Sequence, residues 1–399
     1  MTLKATVIGG SLGGLIAGLA LRRAGIEVSI YERNATSLES RGAGLRVQPV
    51  MVRIFSEVLG IDLGEVSTSA SRVRYIDRQD RTLHEIDTHV SYTSWSSLYA
   101  LLRSRFGNDR YHLGHELQSF SQDAHGTTAR FGNGYAANAD LLVFADGINS
   151  TGRQWLAPKT RSVYSGYICW RGYVETDALS PRSRAALGDT MTIALLNPGH
   201  AHVYPIPGNA AHAGEPHDCF NYVLYRNLAP GPDFARTMTD RSGTLRLSSV
   251  PPGAVRPEIV DELRAYARAA LPPSVAELVE QTPAPFIQTI ADVHADTMAV
   301  GRACLIGDAA SGGRPHLGAA TAKATINAHA LARALSNGSH DVAGALARWA
   351  PAQLRLSQRM LARNRELGNR LQQRADSRPS DTGIRPGIDD LVAEALVTD

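Results

Sequence analysis

Three short stretches set glycines beside an acid in a pattern suited to a phosphorylated ligand. The first is Gly9-Gly10-Ser11-Leu12-Gly13-Gly14. Pyrophosphate binding needs a tight turn, a residue small enough for phosphates to reach the backbone, and close contact of helix with strand. The helix N-terminus adds unpaired N–H groups and partial positive charge. Gly9 and Gly14 stand where the first and third glycines belong, and Ser11, still small, replaces the second. Glu32 follows at the distance, roughly 20 residues, where an acid accepts hydrogen bonds from a ribose. A Glu there favours an adenosine ribose with a free 2′-hydroxyl over a 2′-phosphate. The second stretch is Leu142-Val143-Phe144-Ala145-Asp146-Gly147, followed by Ser150 and Arg153. The third is Cys304-Leu305-Ile306-Gly307-Asp308-Ala309-Ala310, followed by Pro315 and Gly318. Taken singly, either of these two reads as a plain turn.

A second group of residues could move protons. His200, His202 and Tyr204 alternate at spacing two, which puts them on one face of a strand. In 219–226, Tyr225 shares a face with Asn221, while Phe220, Tyr222 and Leu224 share the other. His316 follows Pro315. Histidine and tyrosine suit a proton relay because surroundings tune their protonation toward working pH. Each histidine alone is as well read as structural; the set reads as a pocket lining. Trp170-Arg171 is divided between a structural and a substrate-contacting reading. Cys169, Cys219 and Cys304 are odd in number and in no metal-ligand spacing. They argue for a reducing cytoplasm and against a disulfide scaffold, a zinc ribbon or a CxxC redox pair, and no metal is expected. Cys304 reads as a buried strand residue rather than a nucleophile.

The elements that must position these groups follow from periodicity. Residues 3–8 read as a buried strand. Leu12, Leu15, Ile16 and Leu19 recur at helical spacing up to Gly25, and Ile26, Val28 and Ile30 form a strand ending at Glu32. Together they predict one βαβ unit. Segments 72–77, 82–87, 163–174, 191–206 and 219–227 alternate between turn clusters such as Asn197-Pro198-Gly199 and Pro207-Gly208-Asn209. They predict an antiparallel sheet. Residues 258–281 read as helical. The opening style returns after Pro283, with a strand at 303–306 and helices over about 318–335 and 341–374. The arginines of 353–375 read as a solvated helix face. The last 25 residues read as a loosely packed tail.

Composition agrees. The chain has 399 residues, 43% of them hydrophobic, enough for more than one core. The formal charge is +3, and the basic side is arginine but for Lys4, Lys159 and Lys323, with no run of like charges. A nucleic-acid face is not expected. The apolar run after Lys4 resembles a signal peptide, but Gly9, Gly10, Gly13 and Gly14 within it and the strand that follows argue against export. No window reaches the 18 or more apolar residues of a membrane span. A cytoplasmic protein is expected.

In this order the three glycine–acid stretches resemble the flavoprotein aromatic hydroxylases, the single-component FAD monooxygenases of the p-hydroxybenzoate hydroxylase type. Tyr164-Ser165-Gly166-Tyr167, Trp170-Arg171-Gly172, His200, Tyr204-Pro205-Ile206-Pro207-Gly208, Asn221, Tyr225, Asn227 and Arg314-Pro315-His316 resemble the 2,6-dihydroxypyridine 3-monooxygenase branch. The likeness spans about residues 4–372. It implies an α/β fold: a Rossmann-like FAD-binding domain (1–71, 98–160, 284–375) interrupted by a β-sheet substrate domain (72–97, 161–283), with C-terminal helices and a 376–399 tail. It implies FAD, held by the Gly9–Gly13 turn, Glu32, Arg33, Arg46 and Gln48 after the Gly42-Ala43-Gly44 turn, Leu117, Asp146, Asp308, Pro315 and Gly318-Ala319-Ala320-Thr321. Asp308 falls on the ribityl chain, and the following helix N-terminus aims at the isoalloxazine. The resemblance further implies NADH or NADPH as reductant and a small electron-rich aromatic or N-heteroaromatic substrate hydroxylated with O2 through a flavin hydroperoxide in a dry pocket. His200, His202, Tyr204, Tyr225 and His316 would orient the ring and take its proton. A homodimer stays open.

Two departures stand out. Trp95 replaces the family's usual Arg ahead of the helix near 97–105, which passes phosphate neutralisation to Arg33 or Arg103. Gly318-Ala319-Ala320-Thr321 replaces a Gly-Gln-Gly-like turn. Baeyer–Villiger oxidation or epoxidation on the same fold, and a non-catalytic dinucleotide-binding protein, are the competing readings. A flavin halogenase is disfavoured, because Tyr204-Pro205-Ile206-Pro207 lacks the paired tryptophans before Ile-Pro.

Overall fold

The computed structural model describes residues 2–38, 43–196, 198–208, 219–336, 341–373 and 388–396. The three glycine–acid stretches leave neighbouring strands of one six-stranded sheet. Its order is β17 (Ala299–Val300), β18 (Ala303–Leu305), β10 (Leu141–Phe144), β1 (Lys4–Ile8), β2 (Glu27–Tyr31) and β6 (Tyr111–His112). All pairs are parallel except β17 with β18. Ile8, Phe144 and Leu305 are in register across β1, β10 and β18, so the three turns sit side by side at the strands' carboxyl ends. That edge is where open α/β sheets bind ligands. β1 and β10 are apolar and buried because helices cover the sheet. Here α1 (Leu12–Arg23) packs between α3 (Trp95–Phe106) and α9 (Ala320–Leu335). α2 (Pro49–Ile54) and α10 (Val342–Gln373) pack on α9, and α4 (Thr151–Leu156) packs on β18.

The second sheet has ten strands. Nine follow the order β15 (Ser249–Val250), β16 (Phe286–His294), β11 (Val163–Glu175), β14 (Cys219–Asn227), β13 (His200–Ile206), β12 (Thr190–Leu195), β4 (Ser67–Ile76), β5 (Thr82–Ser94) and β3 (Gly44–Val47). β19 (Ser311–Gly312) pairs on β16. The ladders are antiparallel, as expected from alternation, except β12 with β4, which is parallel. The sheet also takes in Gly44–Val47, all of Ser67–Ile76 and Phe286–His294, beyond the segments 72–97 and 161–283. A small third sheet holds β7 (Leu117–Gln122), β8 (Thr127–Phe131) and β9 (Ala136–Ala139).

The two faces of the large sheet differ in chemistry. One carries Trp170, Tyr222, Leu224, Ala201 and Val203 against Leu187 of α5 (Pro181–Leu187), Met238 of α6 (Pro232–Met238), and apolar residues of α7 (Pro257–Ala270) and α8 (Pro273–Gln281). The other carries the polar rings. The helix expected over 258–281 is thus two, parted at Leu271-Pro272. A proline at 272 cannot donate the N–H that a continuous helix needs.

Two expectations need correction. Within the 376–399 stretch, Asp389–Leu396 forms α11, with Leu391, Val392 and Ala395 buried against α9 and α10; most of the remaining tail lies outside the described residues. The arginines of 353–375 are not a free solvated face. Arg355 and Arg359 pair with Glu394, Arg363 pairs with Asp390, and Arg365 pairs with the buried Asp292. Gly42, Asn197 and Asn209 also lie outside the described residues.

Candidate active site

The dinucleotide turn is built by absent side chains. Gly9 has φ +101°, and a Cβ on Gly14 would lie 1.9 Å from the Gly9 carbonyl oxygen, so helix and strand touch there. A Cβ on Gly10 would lie 2.3 Å from the Tyr111 hydroxyl, which donates to the Gly10 carbonyl at 2.8 Å. Glu32 is buried; its Oε2 accepts from Gly10 N at 2.8 Å and its Oε1 from Asn34 N at 2.9 Å. Ser11 makes no side-chain cap, and no acid stands in the first turn of α1, which leaves helix N–H groups for an anion. Leu12 is buried behind the turn, and Gly13 faces Ala324 and Ala145. Arg103 stacks 4.0 Å over the Tyr111 ring but donates to the Gly107 carbonyl and Asn108; Arg33 is exposed beside Glu32. Trp95 opens α3 and stacks on Tyr99. Leu117 begins β7 and packs on the core.

The second and third turns are tied together. Asp146 Oδ2 accepts from Thr151 N and Gly152 N at 2.8 and 3.2 Å, joining the Ser150 cap at the start of α4; burial raises its carboxyl pKa against these bonds. Arg153 donates to the carbonyls of Asp308 and Ala309 at 3.3 and 2.9 Å. The Asp308 carboxylate, part exposed, lies 3.4 Å from the buried ammonium of Lys323. Lys323 also donates to the Ser311 carbonyl, and burial lowers its pKa.

A flavin fits the strip that follows. Gln48 is fully buried; its Nε2 donates to the carbonyls of Leu317 and Gly318 at 2.9 and 3.3 Å, while its buried Oε1 has no partner among the described residues. Gly318 has φ +58°, and a Cβ there would lie 2.9 Å from Arg46 Cβ. α9 then starts at Ala320-Thr321 behind buried Ala319, with neither a side-chain cap nor an acid in its first turn. Pro315 begins the short turn that ends at Gly318. Unsatisfied helix N–H groups and bare backbone suit the electron-rich edge of a flavin. Arg46 is largely buried, which lowers its pKa.

Facing this strip, the large sheet brings the proton-active rings together. β13 and β14 pair His200 with Tyr225, His202 with Val223, and Tyr204 with Asn221, so spacing-two parity puts all of them on one face. His200 stacks on Tyr225 at 4.4 Å and lies 4.9 Å from His202 and 5.3 Å from His316. His316 Nε2 is 2.9 Å from the Tyr167 hydroxyl. Burial drives the His200 and His316 imidazoles well below their ordinary pKa, helped by His202 beside each; His202 falls to about 4 through burial and the charge of Arg46. Burial raises Tyr204 and Tyr225. His200 Nε2, His202 Nε2, His316 Nδ1 and Asn221 Nδ2 are buried with no partner among the described residues.

Tyr204 does a different job from the histidines. Its hydroxyl donates to the Gly44 carbonyl at 3.0 Å, Arg171 Nη2 donates to the same oxygen at 2.9 Å, and Asn221 Oδ1 accepts from Gly44 N at 2.9 Å. The Gly44 peptide of β3 is thereby clamped onto the sheet face, and a Cβ there would lie 2.5 Å from the Tyr204 ring. Parity divides Trp170 from Arg171: the first enters the apolar core, the second the site. Among the described residues no group of three or more His, Cys, Asp or Glu could hold a metal ion, and no helix is long and apolar enough to cross a membrane.

The chain is 33% identical over 396 residues to the 2,6-dihydroxypyridine 3-monooxygenase of Paenarthrobacter nicotinovorans, covering 99% of this chain and 98% of the relative. The chain belongs to the FAD-dependent aromatic hydroxylases. The solved 2,6-dihydroxypyridine-3-hydroxylase from Arthrobacter nicotinovorans superposes on this hydroxylase with a TM-score of 0.90 at 32% identity, over 96% of both chains. Klebsiella pneumoniae HpxO complexed with FAD and uric acid shares the fold, with a TM-score of 0.76 at 21% identity over 93% of this chain and 89% of that one. A family model described as FAD binding domain-like matches residues 164–292, which hold much of the large sheet rather than the Gly9 turn. The expected family and branch are thus borne out. This hydroxylase is an oxidoreductase with FAD as cofactor and NAD(P)H as electron donor.

Sequence reasoning passed over three contributors. Tyr92 stacks on Tyr204 at 4.3 Å, Lys323 backs Asp308, and Gln372 reaches His200. Lys323 carried a signal as one of three lysines, near a glycine–acid turn. Nothing local marked the other two.

Proposed function

We propose that this hydroxylase adds one oxygen atom from O2 to a small, electron-rich N-heteroaromatic ring of the hydroxypyridine type. The observation that carries this reading is the set of buried, unpartnered polar atoms on one sheet face: His200 Nε2, His202 Nε2, His316 Nδ1 and Asn221 Nδ2. A flat ring bearing hydroxyl and ring-nitrogen groups satisfies several of them at once, whereas a plain hydrocarbon ring leaves each at a cost of about 1–3 kcal/mol. The 33% identity to a 2,6-dihydroxypyridine 3-monooxygenase supports the same class.

The Gly9–Gly13 turn, Glu32, Gln48, Asp308 and the start of α9 would hold the FAD, which supplies activated oxygen once reduced. The chain's own work is orientation and proton handling. Neutral imidazoles accept the acidic hydrogen of a ring hydroxyl, and the resulting electron-rich anion lies near the buried guanidinium of Arg46. The aromatic wall of Tyr225, Tyr167 and Tyr204 keeps water from the reacting ring.

The test is a panel of hydroxypyridines, phenols and cyclic ketones, scored for stimulated NADH or NADPH oxidation and for product mass. Gain of one oxygen on a hydroxypyridine ring is expected. A ring-expanded lactone from a ketone, with no hydroxypyridine turned over, would overturn the reading.

A further inference from the structure

One contact enters the site from an element remote from it in sequence. Gln372, the penultimate residue of α10, is buried, and its Oε1 lies 3.1 Å from His200 Nδ1. Its Nε2 donates to Asn227 Oδ1 at 3.2 Å, and Asn227 Nδ2 donates back to the Gln372 backbone carbonyl at 3.4 Å. These two bonds decide which way both amides face. Asn227 Oδ1 needs a donor, so the Gln372 NH2 points to it and the Gln372 oxygen is left for His200. An amide oxygen only accepts, so the hydrogen sits on His200 Nδ1 and the Nε2 lone pair is bare. Gly199 makes the approach possible: with φ +101°, a Cβ there would lie 2.9 Å from the Tyr225 carbonyl oxygen and 3.5 Å from Gln372 Oε1.

We propose that Gln372, held by Asn227, is the positioning residue that fixes His200 in its Nδ1–H tautomer and makes Nε2 the acceptor of the substrate hydroxyl proton. The inference rests on the function proposed above. In the step it serves, the substrate O–H bond breaks, an Nε2–H bond forms, and the ring oxygen keeps the electron pair. His200 becomes an imidazolium that still donates through Nδ1 to Gln372. Burial, with His202 and His316 adding to it, lowers the imidazole's pKa against the opposing hydrogen bonds to Gln372 and to the Leu371 backbone. The opposite tautomer puts a hydrogen on Nε2 and cannot accept.

The test reads nitrogen-15 shifts of histidine-labelled holoenzyme without substrate, with His200 assigned through His200→Asn. Wild type is expected to show a protonated Nδ1 and a bare Nε2, and Gln372→Met is expected to move hydrogen toward Nε2. In turnover, Gln372→Met should lower kcat by about 10²-fold, the lower end of the effect of a positioned base. KM and FAD content should hardly change. Gln372→Glu, which keeps an acceptor at that place but loses the donor to Asn227, should recover part of the loss. A wild-type Nε2–H tautomer, an unchanged tautomer in Gln372→Met, or a raised KM at constant kcat overturns the proposal. Because the shifts are read without substrate, their failure counts against Gln372 alone. A correct tautomer in an enzyme that hydroxylates no hydroxypyridine counts against the substrate class instead.

Discussion

At the scale of single residues, most of the cofactor strip is decided by what is missing. Gly14 cannot carry a Cβ 1.9 Å from the Gly9 carbonyl oxygen without parting α1 from β1. Gly14→Ala is expected to cost about 1–3 kcal/mol, as overpacking does, and to release FAD; a melting curve and the flavin-to-protein absorbance ratio check both. Asp308 sets its carboxylate 3.4 Å from the Lys323 ammonium, and in the proposed site it would hold FAD by charge. Asp308→Ala should weaken FAD retention about tenfold or more, the worth of a charged hydrogen bond, measured by flavin released on dilution. These positions were legible because a phosphate turn constrains residue type and spacing locally. So were the face shared by His200, His202 and Tyr204 and the face shared by Asn221 and Tyr225, since strand parity is a property of neighbours; that the two coincide is set by the β13–β14 register. Asp146 was legible as a turn acid, but its hold on the first N–H groups of α4, beside the Ser150 cap, shows only in three dimensions.

At the scale of elements, the βαβ unit and the strands over 72–77, 82–87, 163–174, 191–206 and 219–227 follow from periodicity, and their antiparallel ladders follow from alternation, whereas the parallel pairing of β12 with β4 and the added strands at 44–47 and 286–294 do not. What could not be read was docking. The clamp on Gly44 joins residues 221, 204 and 171 to a short strand at 44–47, and no local pattern encodes such a contact. α10 and α11 give the same lesson. The arginines of α10 have the spacing of a wet face, yet Arg355, Arg359 and Arg363 meet acids of a helix in a stretch that reads as a tail. Exposed ion pairs contribute little, so the docking of α11 rests on its apolar side. Leu391→Ala is expected to cost about 2–3 kcal/mol and to make Asp389–Leu396 the first segment to exchange amide hydrogens. Protection unchanged from wild type would contradict that account.

At the scale of the whole molecule, the large sheet buries histidines and thereby ties stability to pH. His202 titrates at about 4 in the fold against about 6.5 when unfolded. Below pH 6.5 the unfolded chain binds a proton that the fold refuses. The contribution is therefore complete above that pH and is lost as pH falls toward 4, by about 3 kcal/mol for this group. Thermal melts from pH 8 to 4.5 should show Tm dropping below about 6.5, and less steeply in His202→Asn; equal slopes would contradict the placement. The same burial keeps these imidazoles uncharged below pH 6.5, where a hydrated histidine would already hold a proton. The most direct measurement is the mass of the product formed from a hydroxypyridine by holoenzyme and NAD(P)H under isotopically labelled O2. The account predicts one labelled oxygen on the ring, with reductant consumed in step. Reductant oxidised to give only hydrogen peroxide, across every hydroxypyridine offered, would contradict it.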